Sequence, residues 1–192
     1  YLSRSYLLRY ADRIREIVDE QLLRVSGMET FDFVTDLAVE LHLQVIAELL
    51  GIPPDDRAKV FSWTEQMMSG DDAEFANSQE EIMAALGAMY GYSENLCAER
   101  REAPGTDLMS ALTEAELDGE RLSQMDLNLF FMLLHNAGSE TTRNLVTGGV
   151  IALLEHPDQL ELLRAEPARI PVDIEELLRW VTPVTHFART VT

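Results

Sequence analysis

The chain is 192 residues long and carries 15 Lys plus Arg against 34 Asp plus Glu, a net charge of -19. At 46% apolar residues it can bury a core, which argues against wholesale disorder. The acidity argues against a nucleic-acid binder or a binder of anionic membranes, both of which need basic patches. Cys97, the single cysteine, excludes an internal disulfide and any CxxC zinc or redox site, and fits a reducing compartment.

The opening residues, YLSRSYLLRYADRIREI, mix charge with apolar positions every three or four residues, the pattern of a helix rather than a signal peptide. Leu7, Tyr10, Ile14, Ile17, Val18 and Leu22 share that spacing until Gly27 breaks it. Phe31, Val34, Leu37, Leu41, Val45 and Leu49 form a second stripe, closed by Gly51-Ile52-Pro53-Pro54. A short helix comes next over 54–68, with Val60, Phe61, Trp63, Met67 and Met68, and then a polar connection from Ser69 to Ala76. Ser78 and Glu81 have capping-box spacing and open a helix to about Arg101, with Ile82, Leu86, Met89 and Leu96 facing inward and Cys97 beside them.

A helical turn or two is expected over 107–112, then a loop or very short hairpin around Asp118-Gly119. Ser123 and Asp126 repeat the cap spacing and begin the longest element, 124 to about 155, which at 1.5 Å per residue runs roughly 48 Å. Within it LNLFFMLL is apolar almost all round, as for a helix buried on every side, yet far short of the roughly 20 residues that cross a bilayer. Pro157 starts the next helix, Pro167 stops it, Pro171 opens another and Pro183 ends that one. The tail, VTHFARTVT, is the one convincing strand. The first residue is not Met and the final alternation has no partner strand, so the chain reads as part of a longer protein.

The middle of the long helix is anomalous. Residues 135–144, HNAGSETTRN, are mostly polar between two apolar runs, and Gly138 costs a further ~1 kcal/mol of helix propensity. Two readings stand. The patch is a site, with Gly138 admitting a flat ligand, Thr141 or Thr142 bonding a preceding carbonyl, and Glu140 relaying protons. Alternatively the helix surfaces into solvent there, with Glu140 and Arg143 as an i,i+3 pair. Glu176 and Arg179, also at i and i+3, are either an exposed decoration or a buried charge-assisted network.

Taken together, these motifs resemble the cytochrome P450 family. Ala137-Gly138-Ser139-Glu140-Thr141-Thr142 is similar to the signature of the family's oxygen-binding helix. HPDQLELLRAEP resembles the helix after it, EELLRWVTPV the helix carrying ExxR, and HFARTV the strand whose arginine meets a haem propionate. The motifs stand in register over about 70 residues, and the upstream helices are compatible with the same fold.

The resemblance implies a mostly α, incomplete P450 fold, with a long central oxygen-binding helix and the start of a small β-sheet. Residues 1–192 would be a single partial domain, the central part of a catalytic domain. Ala137 and Gly138 would lie against the distal face of haem b (iron protoporphyrin IX), and Glu140 and Thr141 would manage water and proton delivery to dioxygen. Glu176 and Arg179 would be structural. Arg189 would pair with a propionate, and His186 would either reach the propionate region or be a surface histidine. His135 and Asn136 would line the pocket or join the polar side of the helix.

One departure is large. The family ligates iron through a cysteine in a Gly-rich loop well downstream of ExxR, and these residues contain no such loop. Cys97 lies upstream, in LCAERRE, and reads as a core cysteine. No metal ligand is therefore expected in this chain, and alone it should neither hold haem by thiolate nor turn over.

In the intact parent the resemblance implies a bacterial, cytoplasmic monooxygenase, a monomer of secondary metabolism. It would hydroxylate a bulky apolar small molecule (sterol, terpenoid, fatty acid or natural-product scaffold) with dioxygen and two electrons. Phe61, Trp63, Met67, Met68, Met83 and Met89 would serve as lid surface or plain packing. Electrons would come from a ferredoxin with its reductase or from a flavodoxin-like donor. Such donors are acidic, so the docking face would draw on basic segments elsewhere in the parent. No nucleic acid and no membrane partner is expected. The competing class is a non-enzymatic helical domain that binds an apolar ligand or a partner helix.

Overall fold

A π-helical stretch decides which residues of the second apolar run are buried. In the computed structural model, which describes residues 8–68 and 77–186, Asp32 accepts from the amides of Val34 and Thr35 at 2.8 and 2.9 Å and opens a π-helix, Phe33–Val39. Its wider turn rotates the α-helix that continues from it, α2 (Glu40–Leu50), relative to an uninterrupted α-helix. The buried face becomes His42, Leu43, Ile46, Ala47 and Leu50. Of the stripe expected from an unbroken 3.6-residue period, Phe31 and Val34 are exposed. Val45 and Leu49 instead face α1 (Ala11–Ser26), across a groove they share with Ile14 and Ile17.

Helix α1 itself continues from a short 3-10 turn, Leu8–Tyr10, and departs from its sequence pattern at one point. Leu22 is 48% exposed, while Gln21 is buried and its carboxamide oxygen accepts from Arg24 Nε at 2.9 Å. A polar side chain supplied with a hydrogen bond can occupy an inward position. Leu7, the Ser69–Ala76 connection and the tail from Phe187 onward, including Arg189 and all but the first three residues of the expected strand, lie outside the described residues; residues 184–186 are described and are not in a strand.

Helix α2 ends on Gly51 in the left-handed region (φ 73). The Asp107 side chain occupies the space beside Gly51 that a Cβ would need. Arg100 clamps this corner, donating from Nε to Asp107 at 2.8 Å and from its terminal nitrogen to the Gly51 carbonyl at 2.6 Å. Asp107 also caps α5 (Leu108–Thr113) by accepting from the Ser110 amide. This three-way contact joins elements nearly fifty residues apart, and no local pattern announces it.

Helices α3 (Pro54–Met68) and α4 (Gln79–Glu102) pack against each other, and α4 opens with the capping box read from Ser78 and Glu81. A two-residue hairpin, Glu116–Leu117 with Glu120–Arg121, turns on Asp118 and Gly119, both at positive φ. The spine is α6 (Gln124–Glu155), with the second capping box at Ser123 and Asp126. Helix α2 and the π-helix pack against it, α4 and α5 lie alongside, and α7 (Pro157–Ala165) and α8 (Ile170–Val181) fold back onto its C-terminal half.

The core forms where these helices meet. Met89, Leu96 and Cys97 of α4 join Leu50, Ile52, Val60, Leu108, Met109, Leu127 and Phe131. A ladder of rings runs through it and returns to the helix it left: Trp63 of α3 meets Tyr92 (6.2 Å between centroids), Tyr92 meets Phe131 (6.0 Å), Phe131 stacks on His135 (6.2 Å), and His135 stacks on Phe61 of α3 (6.0 Å). Lys59, the only lysine, lies over both Trp63 and Tyr92 and donates to Asp56.

Candidate functional site

The LNLFFMLL run of α6 is not enclosed on every side here. Leu127, Phe131 and Met132 are buried, whereas Met125, Leu129 and Leu133 are 50 to 60% exposed. Those three positions recur every four residues, and Ala137, also exposed, comes next in the same row. Thr141 stands one turn later and is half-buried. The helix thus presents an open apolar row that shrinks to a methyl group at Ala137, where a hydroxyl takes over.

At that transition the Thr141 Oγ1 donates to the Ala137 carbonyl at 2.7 Å. The bond gives a backbone carbonyl of the continuous helix a side-chain donor, the kind of contact that tends to loosen and bend helices. Glu140 is half-buried and reaches Arg143 at 3.8 Å, so the i,i+3 pair exists, and it exists beside the hydroxyl rather than instead of it. Asn136 keeps its carboxamide oxygen enclosed with no hydrogen-bond partner among the described residues, a state that costs about 1–3 kcal/mol.

The other side of this stretch is inward. Gly138 faces α2, where an added Cβ would come within 2.8 Å of Ile46 Cδ1; the glycine admits a neighbouring helix at that point. His135 is fully buried in the ring ladder, so it belongs to the core and not to the polar side of the helix. Burial, then the like charge of His42, pushes it down to about 4. The polar stretch divides between core, crossing helix and open row, a division that composition could not reveal.

Farther along, α8 crosses α6 at Gly148 and Gly149: Val181 fills the space that a Cβ on Gly148 would take, and Leu177 lies at ordinary contact distance from Gly149. Glu176 and Arg179 lie on the outer side of α8, 58% and 66% exposed, joined by two bonds of 2.8 and 2.5 Å. Arg179 draws the Glu176 carboxyl below its usual value. His186 is exposed, its Nδ1 3.2 Å from Thr185 Oγ1, and Arg189 lies outside the described residues. A cavity of about 260 Å³ bounded by Leu153, Leu162, Leu177 and Trp180 lies at this end of the spine and includes Glu176 but none of residues 137–141.

The residues available for haem fit one side of it. A flat apolar group can lie against the open row at Ala137, with a hydroxyl and a carboxylate at its edge. A metal ligand is another matter: the described residues hold no cluster of His, Cys, Asp and Glu able to bind a metal. Cys97 is fully buried in the α4 core, where burial raises its thiol further from ionisation.

A capped helix of this length, crossed at Gly138 by α2, carrying the acid–alcohol pair midway and succeeded by a short helix and then ExxR, is the helical centre of a P450 fold. The solved structure of cytochrome P450 PksS of the Bacillus subtilis 168 bacillaene polyketide synthase superposes with a TM-score of 0.86 at 35% identity, over 92% of this chain and 44% of that one. A steroid C26-monooxygenase of Rhodococcus jostii (strain RHA1) is 41% identical over 193 residues, covering 98% of this chain and 40% of that protein. A methyl-branched lipid omega-hydroxylase of Mycobacterium tuberculosis (strain ATCC 25618 / H37Rv) is 37% identical over 199 residues, 100% of this chain and 46% of that protein. No family model matches. The chain belongs to the cytochrome P450 family, and it spans a little under half the length of the relatives it matches.

Proposed function

We propose that the chain is the central part of the catalytic domain of a haem-thiolate monooxygenase that hydroxylates a bulky apolar small molecule. The observation that carries the reading is the Thr141–Ala137 contact at the end of an open apolar row. It puts a proton-bearing hydroxyl where a non-polar surface stops. The kinship with a steroid C26-monooxygenase and a methyl-branched lipid hydroxylase supports a sterol or a branched lipid as the guest.

Ala137 would lie against the haem and Arg189 would serve a propionate, while the cysteine ligand would come from outside these residues. When bound, haem supplies dioxygen activation and the oxidising power for an unactivated C–H bond. The chain's own residues do the rest. Leu129, Leu133 and Phe130 exclude water and hold an apolar guest along the row. Thr141 holds a proton at Oγ1 and can pass it into the dry side, because its oxygen still has lone pairs free to accept another. Glu140, half-buried and next to Thr141 in the chain, would replenish that proton. Arg143 orients its carboxylate along the helix. Glu176 and Arg179 would be structural, and electrons would arrive from a ferredoxin or a flavodoxin-like donor.

The test is spectroscopic. The reduced, carbon monoxide-treated full-length protein should show the Soret band of a thiolate-ligated haem. Absence of that band in a protein with a complete cysteine loop would favour a helical domain that binds an apolar ligand without metal. The described helices contain none long and apolar enough to cross a membrane.

A further inference from the structure

His135 and His42 are buried side chains on crossing helices, 0% and 5% exposed, and neither takes part in the chemistry proposed above. His135 lies between two rings, Phe131 of its own helix at a 7° interplanar angle and Phe61 of α3 at 20°. His42 of α2 donates from Nδ1 to the Ala38 carbonyl of the π-helix at 2.8 Å. Like charges act on the pair: His42 bears on His135, and Arg143 of α6 bears on His42. The ring that α3 contributes is Phe61, which carries no charge, and Glu140 is drawn toward Arg143.

We propose that His135 is a positioning residue that seats α3 on the spine α6, and that protonation of the His135–His42 pair unseats that helix. The neutral imidazole stacks between two phenyl rings as a flat, weakly polar plate. An imidazolium there would be desolvated between those rings and would sit beside a second cationic histidine. Its escape is outward past Phe61, the half-buried member of the sandwich, because Phe131 is fully enclosed. Ties of α3 to α4, Asp56 with Tyr92, Lys59 over Tyr92 and Trp63 against Tyr92, would act as the hinge. This inference does not depend on haem.

Hydrogen exchange of the full-length protein, corrected for the intrinsic rate at each pH, tests it. From about pH 7 to about pH 4, amides of the second half of α3 should lose protection roughly ten-fold or more while those of α4 keep theirs. His135→Phe keeps the stack and cannot titrate, so it should hold α3 protected across the range; His135→Leu serves if the aromatic variant does not accumulate as folded protein. His42→Gln should move the opening by removing a like charge, leaving His135 easier to protonate and the onset at higher pH. An opening of α3 that persists unchanged in the non-titrating variant, or a simultaneous loss in α3 and α4, would overturn the proposal.

Discussion

Ile46 occupies the space that any side chain at position 138 would need: its Cδ1 stands 2.8 Å and its Cγ1 3.1 Å from where a Cβ on Gly138 would be. Two helices cross there, and the crossing brings α2 against the turn of α6 that carries Ala137, Glu140 and Thr141. Gly138→Ala gains ~1 kcal/mol of helix propensity and meets overpacking of ~1–3 kcal/mol, so a net loss of about 1 kcal/mol is expected. Ile46→Val in the same chain should recover part of it. Denaturant unfolding of the two singles and the double variant measures the coupling, and strictly additive effects would refute the contact.

Among the described residues Thr141 bonds within its own helix, to the Ala137 carbonyl. Thr141→Ala should therefore leave stability within about 0.5 kcal/mol of the parent. In the full-length protein, on the function proposed here, it should divert oxygen reduction from product to peroxide, and Thr141→Ser should restore much of the coupling. Peroxide and product measured per electron consumed decide the matter; unchanged coupling would remove Thr141 from proton delivery.

Local chemistry was legible where it is self-contained. Both capping boxes, the helix ends at Gly51 and Ser26, the Asp118-Gly119 hairpin and the full extent of α6 follow from short-range residue patterns. The buried face of α2 was not legible, since a π turn at Phe33–Val39 leaves the composition of the stripe unchanged while rotating every residue C-terminal to it. Nor was the division of residues 135–141 into core, crossing and open faces, which depends on where α2 and α3 dock. Arg100 with Asp107 and the Gly148-Gly149 crossing were missed for the same reason. Their signal is tertiary, although a Gly-Gly pair inside a long helix is itself a hint of close approach.

The Arg100–Asp107 corner should be one of the costliest single sites. Both side chains are largely buried, 18% and 11% exposed. Asp107→Ala removes the partner of a buried guanidinium and also the cap of α5, so a loss of about 2–4 kcal/mol is expected. Asp107→Asn keeps a capping oxygen and should lose less. Thermal unfolding ranks the two, and equal losses would show that the charge contributes nothing beyond the cap.

Arg179 offers a contrast between the chain and its parent. Here it pairs with Glu176 in solvent, so Arg179→Ala should leave the unfolding midpoint of the isolated chain nearly unmoved. In the full-length protein, where Glu176 and Arg179 are proposed to tie α8 to further chain, the same change should sharply reduce haem-loaded, folded protein. Comparing the two backgrounds is the measurement. A parent as indifferent as the chain would reject the structural role.

His135 sets the acid side of the stability profile. Its ordinary value of 6.5 falls to about 4 in the folded protein, first through burial and then through His42. The unfolded chain therefore binds a proton that the folded chain refuses. Stability rises with pH between the two values, is complete above about 6.5, and is lost as pH falls from there toward 4. The shift corresponds to a contribution on the order of 3 kcal/mol. His42 is depressed by burial too and steepens the same limb. His135→Phe should flatten that limb while changing stability little at neutral pH, since one flat ring replaces another between Phe61 and Phe131. Denaturant midpoints measured at intervals across the acid range would show it. A variant with the same slope between about pH 6.5 and 4 as the unmodified chain would mean that His135 does not set that limb, since the lowered carboxylates Asp32, Asp56 and Glu81 lose their share only below their ordinary values.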